Sequence, residues 1–337
     1  MDDNRYFKAA LAVILLFILG VVLKLARPVL IPFILAVFLS FIIDPALTIL
    51  TRCRCPRPGA VIIVLGLMFV TLYLFGVLAY TSGKALVAEL PKYQDRLSDI
   101  GRFLENGVGP FKVDLSSALN SLDFGKVGAF ILRAIGPFVG LLGKILLVFL
   151  FLVVIVAGRG RFGAKLAGTL DEGRAGRARG IIAGIDAQIR KYLVIKTAVS
   201  IANGVMVWIV LVCFGVDFAA LFGLVAFFLN YIPNIGSWIA TVIRVAFAFF
   251  QFGTFWVPFW IFVITNGLDT ILGNVIEPRI TGKGLGLSPL LVFFSLVFWG
   301  WLWGVPGMIL SVPLTAVIKI VCQNVPSLRP IAVMMGS

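Results

Sequence analysis

The sequence contains no histidine, four cysteines and 15 acidic residues. Without histidine the chain lacks the commonest metal ligand and the side chain that titrates near neutral pH, so any proton relay must use carboxylates. A serine–histidine–acid set is excluded outright and no paired catalytic carboxylates can be picked out, so the chain does not read as an enzyme. Cys53 and Cys55 stand two apart among arginines. That is too few ligands for zinc, and with Cys213 and Cys322 they read as reduced thiols; no metal is implied. No glycine-rich loop ending in Lys-Ser/Thr is present, which argues against direct use of ATP, and no cofactor is implied. Charge of either sign is scarce: 13% of residues are Asp, Glu, Lys or Arg, against about 25% in a soluble domain.

What fills the chain instead is apolar, at 61% of residues. A hydrocarbon core of about 30 Å takes roughly 20 helical residues per crossing. The 337 residues therefore accommodate about eight crossings and no large independent soluble domain. The expected fold is an all-α polytopic membrane protein with amphipathic interfacial helices. Apolar runs cover residues 9–23, 28–50, 60–80, 137–157, 197–214, 218–250, 255–272 and 289–319. The first reads as a retained membrane helix, because no small-residue cleavage site follows it. The second contains Pro32 and Asp44-Pro45, so it is expected to bend or to end near Asp44.

The formal net charge is +14, with the excess concentrated in short tracts between apolar runs. That distribution points to membrane topology, with basic segments cytoplasmic, and not to nucleic acid. Residues 83–133 have nearly balanced charge, and Val87, Leu90, Tyr93, Leu97, Ile100 and Leu104 recur at helical spacing. Residues 158–196 carry the densest arginine cluster, with an apolar stripe at Ile181, Ile182, Ile185, Ile189 and Tyr192. This predicts a helix lying on anionic lipid heads. The expected organisation is N-terminal transmembrane helices over 1–82, an extracytoplasmic amphipathic segment over 83–135 and a transmembrane helix over 136–157. A basic interfacial segment over 158–196, a transport core over 197–322 and a tail over 323–337 follow. With both termini cytoplasmic, every strongly basic segment falls on one side.

Two stretches of the core are broken in the middle. Residues 218–250 are interrupted by Asn230-Tyr231-Ile232-Pro233-Asn234-Ile235-Gly236-Ser237, and 289–319 by Gly300, Gly304, Pro306 and Gly307. An arm of 218–232 gives about 22 Å of helix, short of the bilayer core. All four arms are expected to be this short, forming two re-entrant helical hairpins that enter from opposite faces. Open backbone at membrane depth must line a cavity or be buried in protein, and broken helices point to a transporter's binding site. Asn230, Pro233, Asn234, Gly236 and Ser237 are accordingly candidates for binding or gating, as are Gly304, Pro306 and Gly307. Asn266 and Asn274 add neutral hydrogen bonding. Ionisable residues in apolar spans are the second pointer. Asp269 lies deep in one, Asp44 follows Phe41-Ile42-Ile43, and Glu277 and Arg279 flank Pro278. Asp44, Asp269 and Glu277 are candidates for ion coupling. For Asp44, capping or anchoring stands beside that role, and for Glu277 and Arg279 a mutual pair stands beside a solute contact. Arg244 lies in an apolar arm and needs a partner, for which Asp269 is a candidate.

Several stretches are familiar together: Pro28-Val29-Leu30-Ile31-Pro32-Phe33 with Asp44-Pro45, Tyr192-Leu193-Val194-Ile195-Lys196-Thr197, and Leu229 to Ser237. Gly273-Asn274-Val275-Ile276-Glu277-Pro278-Arg279, Gly282 to Pro289, and Phe298-Trp299-Gly300-Trp301-Leu302-Trp303-Gly304 with Pro313-Leu314-Thr315 complete the set. In this order the chain resembles the autoinducer-2 exporter family of bacterial membrane proteins, in particular its quorum-signal branch. The resemblance implies an inner-membrane protein of about eight helices, a homo-oligomer of pentameric type, and export of autoinducer-2, a small polyhydroxylated carbonyl compound. Some relatives are instead described as sodium- or lithium-ion/proton antiporters, so a monovalent cation stands as the alternative to a small polar solute. A non-transporting accessory membrane protein is the third reading. The chain departs from the family pattern at Ile243-Arg244, where proline is usual, and at Ile280-Thr281.

Overall fold

The computed structural model describes residues 3–107, 145–158, 172–281, 285–325 and 328–336, and among them every extended element is a helix. In chain order these are α1 (Asp3–Leu25), α2 (Arg27–Arg52), α3 (Arg57–Gly107), α4 (Ile145–Gly158) and α5 (Glu172–Cys213). After them come α6 (Ala219–Leu229), α7 (Ile235–Phe252) and α8 (Trp256–Thr270), a π-helical turn (Ile271–Ile276) and α9 (Glu277–Thr281). The chain closes with α10 (Pro289–Trp303), α11 (Val305–Asn324) and the short α12 (Arg329–Met334). Among the described residues six stretches are long and apolar enough to cross a membrane: Arg27–Arg52, Arg57–Glu89, Ile182–Cys213, Ile235–Phe252, Trp256–Thr281 and Val305–Asn324. Phe17, Leu67, Trp238 and Phe294 are among many large apolar side chains on the outside, as a lipid-facing surface requires.

The chain divides into two compact units. One comprises Met1–Val61, Ile145–Val194 and Lys283–Ser337, the other Ile62–Lys144 and Ile195–Gly282. In the first unit Phe38, Phe41, Ile189, Leu193, Leu310 and Ala316 form a core, and Trp299, Leu302 and Trp303 pack with Leu23, Leu30 and Ile31. The Trp303 indole N–H donates to the Leu23 carbonyl at 3.1 Å, fastening α10 to α1. Ser288 caps α10 by accepting from the Leu291 amide, with Pro289 at the first helical position. In the second unit Val207, Leu211, Leu221, Phe222, Phe247, Ala248 and Ile261 form the core. Gly204 of α5 and Gly223 of α6 lie against each other there, each with the other's carbonyl oxygen 2.8 Å from where a Cβ would stand. Such small-residue crossings let helix backbones approach without a hydrophobic driving force.

Four expectations change. Of the two readings of α2, a bend or an end near Asp44, the end is not found, for the helix runs through Pro45 to Arg52. Proline removes one ladder bond, the one its own N–H would have made to the Phe41 carbonyl, which a membrane helix tolerates when neighbouring groups satisfy the backbone. The amphipathic segment expected from residue 83 is, as far as Gly107, a continuation of α3, and the remainder lies outside the described residues. The basic segment is, from Glu172, the first part of α5, which runs through Lys196 to Cys213 with no proline to interrupt it, and residues 159–171 lie outside the described residues. The hairpin arms are also unequal. α6 and α10 have 11 and 15 residues, while α7 and α11 have 18 and 20, the latter about 27 and 30 Å long. The second arm of each hairpin is thus long enough to cross.

Candidate functional site

The second unit carries a polar interior. On α5, Lys196, Ser200 and Asn203 recur at four and three residues, which places them on one helix face, and all three are buried. Each meets a different environment. The Lys196 ammonium donates to both Glu277 oxygens, at 3.2 and 2.9 Å. Ser200 Oγ accepts from the Asn230 side-chain amide at 2.9 Å. The Asn203 side-chain oxygen is buried with no hydrogen-bond partner. One residue from Lys196, Thr197 Oγ1 accepts from the Tyr231 hydroxyl at 2.8 Å. The first hairpin is therefore held by its tip residues Asn230 and Tyr231 to this face of α5.

The tip itself is forced by backbone crowding. A Cβ on Gly236 would stand 1.8 Å from the Leu229 carbonyl oxygen, so only glycine permits α7 to start this close to the end of α6. Asn234 precedes α7 at φ 56° and ψ −55°, at the centre of a tight three-residue turn in which the Ile235 amide donates to the Pro233 carbonyl at 2.6 Å. It is exposed, and Pro233 and Ser237 are half-buried.

Farther along α7 the apolar arm turns polar at Thr241 and Arg244, one helical turn apart, facing Thr265 and Asp269 on α8. The Arg244 Nη2 donates to Asp269 Oδ2 at 2.6 Å and to Thr241 Oγ1 at 2.7 Å, and its Nε donates to Thr265 Oγ1 at 3.0 Å. The Thr265 hydroxyl in turn donates to the Ile261 carbonyl at 2.6 Å. The Arg244 and Asp269 side chains are 1% and 6% exposed, so this ion pair is withdrawn from solvent. The pairing suspected from sequence is present, and removal of either partner strands a buried charge at a cost of about 3–5 kcal/mol. Arg244 Nη1 and Asp269 Oδ1 are buried without partners.

Between Asp269 and Glu277 the helix widens into the π-turn Ile271–Ile276, which contains Gly273 and Asn274. Such insertions occur often at functional sites. Glu277 pairs with Lys196, so the expected alternative of a Glu277–Arg279 pair is not the arrangement found; Arg279 and Asn274 are exposed and Asn266 is half-buried.

In the first unit, Asp44 Oδ2 lies 2.8 Å from Arg190 Nη1, and Arg190 also binds Asp186 at 2.6 Å. The second hairpin repeats the construction of the first. Gly304 has φ 69° and ψ −146°, a conformation essentially confined to glycine, and a Cβ on Gly307 would stand 1.9 Å from the Trp299 carbonyl oxygen. Pro306 occupies the first turn of α11. Ser295 on α10 bonds the Ser311 carbonyl at 3.0 Å and the Thr315 hydroxyl on α11. Lys319, buried, donates to the carbonyls of Leu285, at 3.4 Å, and Gly286.

Lys196, Ser200, Asn203, Thr241 and Thr265 were not among the candidates read from the sequence. The four-and-three recurrence of polar residues on an otherwise apolar span was the available signal for the first three. Thr241 and Thr265 carry no such signal, since single threonines are common in membrane helices.

Several apolar spans, two hairpins with glycine-locked tips and charged groups sequestered among apolar helices define a polytopic membrane transport protein. The chain belongs to the AI-2E family of transporters, whose family model matches residues 11–327. It is 34% identical over 335 residues to the AI-2 transport protein TqsA of Escherichia coli K12, covering 96% of this chain and 95% of that one. It is 33% identical over 326 residues to a protein of Borreliella burgdorferi named "Putative transport protein", covering 96% of this chain and 89% of the relative. A Haemophilus influenzae protein of the same name is 31% identical over 334 residues, covering 97% and 94%. The family is one of transporters and not of enzymes.

Proposed function

We propose that the chain exports a small neutral polar solute, autoinducer-2, across the bacterial inner membrane, with both termini cytoplasmic and as a homo-oligomer. Access alternates through the two hairpins, whose glycine tips serve as the bending points. The observation that favours a neutral solute over a coupling cation is the state of the carboxylates. Asp44, Asp269 and Glu277 are each bonded to a basic side chain: Arg190, Arg244 and Lys196 respectively. A sodium ion would have to displace the paired basic side chain to bind any of these carboxylates, leaving that charge buried or unpaired. The choice of autoinducer-2 is supported by the relative TqsA, which carries that solute in its name. Counterflow in proteoliposomes holding the purified chain tests it. Unlabelled autoinducer-2 inside should draw labelled autoinducer-2 in, with or without a sodium gradient. Proton movement driven by sodium, with no autoinducer-2 counterflow, overturns the reading in favour of cation/proton exchange.

A further inference from the structure

We infer that Arg244 and Asp269 together form a solute subsite that takes a neutral hydroxycarbonyl or vicinal-diol group between Arg244 Nη1 and Asp269 Oδ1. This rests on the transport reading above and names a part of its solute pathway. Arginine and carboxylate commonly meet through two parallel hydrogen bonds that use two donors and both oxygens. Here a single nitrogen, Nη2, binds a single oxygen, Oδ2, at 2.6 Å. Thr241 and Thr265 occupy further guanidinium donors and fix the plane of the group. What remains is one strong donor and one strong acceptor on two rigid helices, both buried and both unpartnered.

A purely structural ion pair gains nothing from that arrangement. Two unsatisfied charged-group atoms at membrane depth are unfavourable, and a small side-chain rotation toward the bidentate form would satisfy both. The two threonines work against that rotation. The cluster is electrically neutral, so an anion meets Asp269 and a cation meets Arg244. A neutral group that accepts from Nη1 and donates to Oδ1 completes both. A hydroxyl next to a carbonyl, or two adjacent hydroxyls, supplies that pair of functions. The π-turn two residues beyond Asp269 marks the same helix as locally adapted away from ideal geometry.

The test is saturable binding of dihydroxyacetone and of erythritol to the full-length purified protein, read by saturation-transfer NMR, with propanone as the probe that lacks a hydroxyl donor. Arg244→Lys keeps the charge opposite Asp269 and removes Nη1. It should weaken dihydroxyacetone at least about tenfold, the worth of one charge-assisted hydrogen bond. The double variant Arg244→Asp/Asp269→Arg keeps an ion pair but exchanges donor and acceptor; it should fold and still bind weakly. Cys213→Ala, on an exposed position, is the control. Arg244→Lys or the exchanged pair binding like the natural protein, or no saturable signal from either probe, overturns the subsite and leaves a structural pair with a resident water. Dihydroxyacetone binding without autoinducer-2 counterflow would keep the subsite and remove the proposed solute. Autoinducer-2 counterflow unchanged in Arg244→Lys would do the reverse.

Discussion

Lys196 Nζ lies 2.9 Å from Glu277 Oε2 and joins two residues 81 positions apart in the chain. The two side chains are only 9% and 19% exposed, so neither charge is well solvated by water. Lys196 closes the basic tract of the sequence and turns inward to a carboxylate next to the π-turn.

Truncating either partner therefore costs more than truncating both. Lys196→Ala and Glu277→Ala are each expected to destabilise the protein by about 3 kcal/mol, because the remaining charge is left buried. The double variant should recover much of that loss. Denaturation in mixed micelles checks it, and equal, additive losses in a double-mutant cycle would show that the pair is not coupled.

The hairpin tips give a sharper contrast. Gly236→Ala and Gly307→Ala each place a methyl within 2 Å of a carbonyl oxygen, at 1.8 and 1.9 Å, where backbone has to move. Each should cost about 2 kcal/mol or more. Gly66→Ala and Gly180→Ala, which meet nothing within 4 Å, should be neutral or slightly stabilising through helix propensity. Thermal denaturation of the four variants separates the groups, and Gly236→Ala melting with Gly66→Ala would contradict the tight turn.

Much of this was legible in the sequence, for identifiable reasons. Membrane class follows from apolar runs alone, and both hairpin tips were marked by Pro and Gly, whose backbone effects are local. Arm lengths were not legible, because glycine and proline show where a helix breaks and not how far it continues. Gln251 and Phe252 extend α7 past the expected end at residue 250 until Gly253 closes it at φ 63°. Asp269 was the natural partner for Arg244 because both are charges in apolar spans. Lys196 was hidden by its neighbours: among so many basic residues, composition cannot tell which one faces inward.

Gln251 holds the connection between α5 and α6. Its side-chain oxygen accepts from the Asp217 amide at 2.8 Å and its side-chain nitrogen donates to the Gly215 carbonyl at 2.8 Å. Gln251→Leu keeps the volume and loses both bonds. The expected cost is about 1–2 kcal/mol, the net worth of two hydrogen bonds whose backbone partners are half-buried at Asp217 and exposed at Gly215. Hydrogen exchange should rise at residues 215–218 before it rises in the helices. Unchanged protection there would mean that Gln251 is not what fixes the turn.

Asp44 separates a structural anchor from a coupling group. Its partner Arg190 is 41% exposed and holds a second carboxylate, Asp186, at 2.6 Å. Removing the Asp44 charge therefore leaves Arg190 paired and partly in solvent, and Asp44→Asn should change stability by no more than about 1 kcal/mol. If the chain carries a neutral solute, autoinducer-2 counterflow should survive the substitution with its rate and its indifference to sodium unchanged. A coupling carboxylate behaves differently, since its neutral amide cannot exchange a proton or hold a cation. Loss of a sodium-dependent component in Asp44→Asn, at undiminished thermal stability, would make Asp44 the titrating group and would turn the three ion pairs from a barrier to cation binding into its resting state.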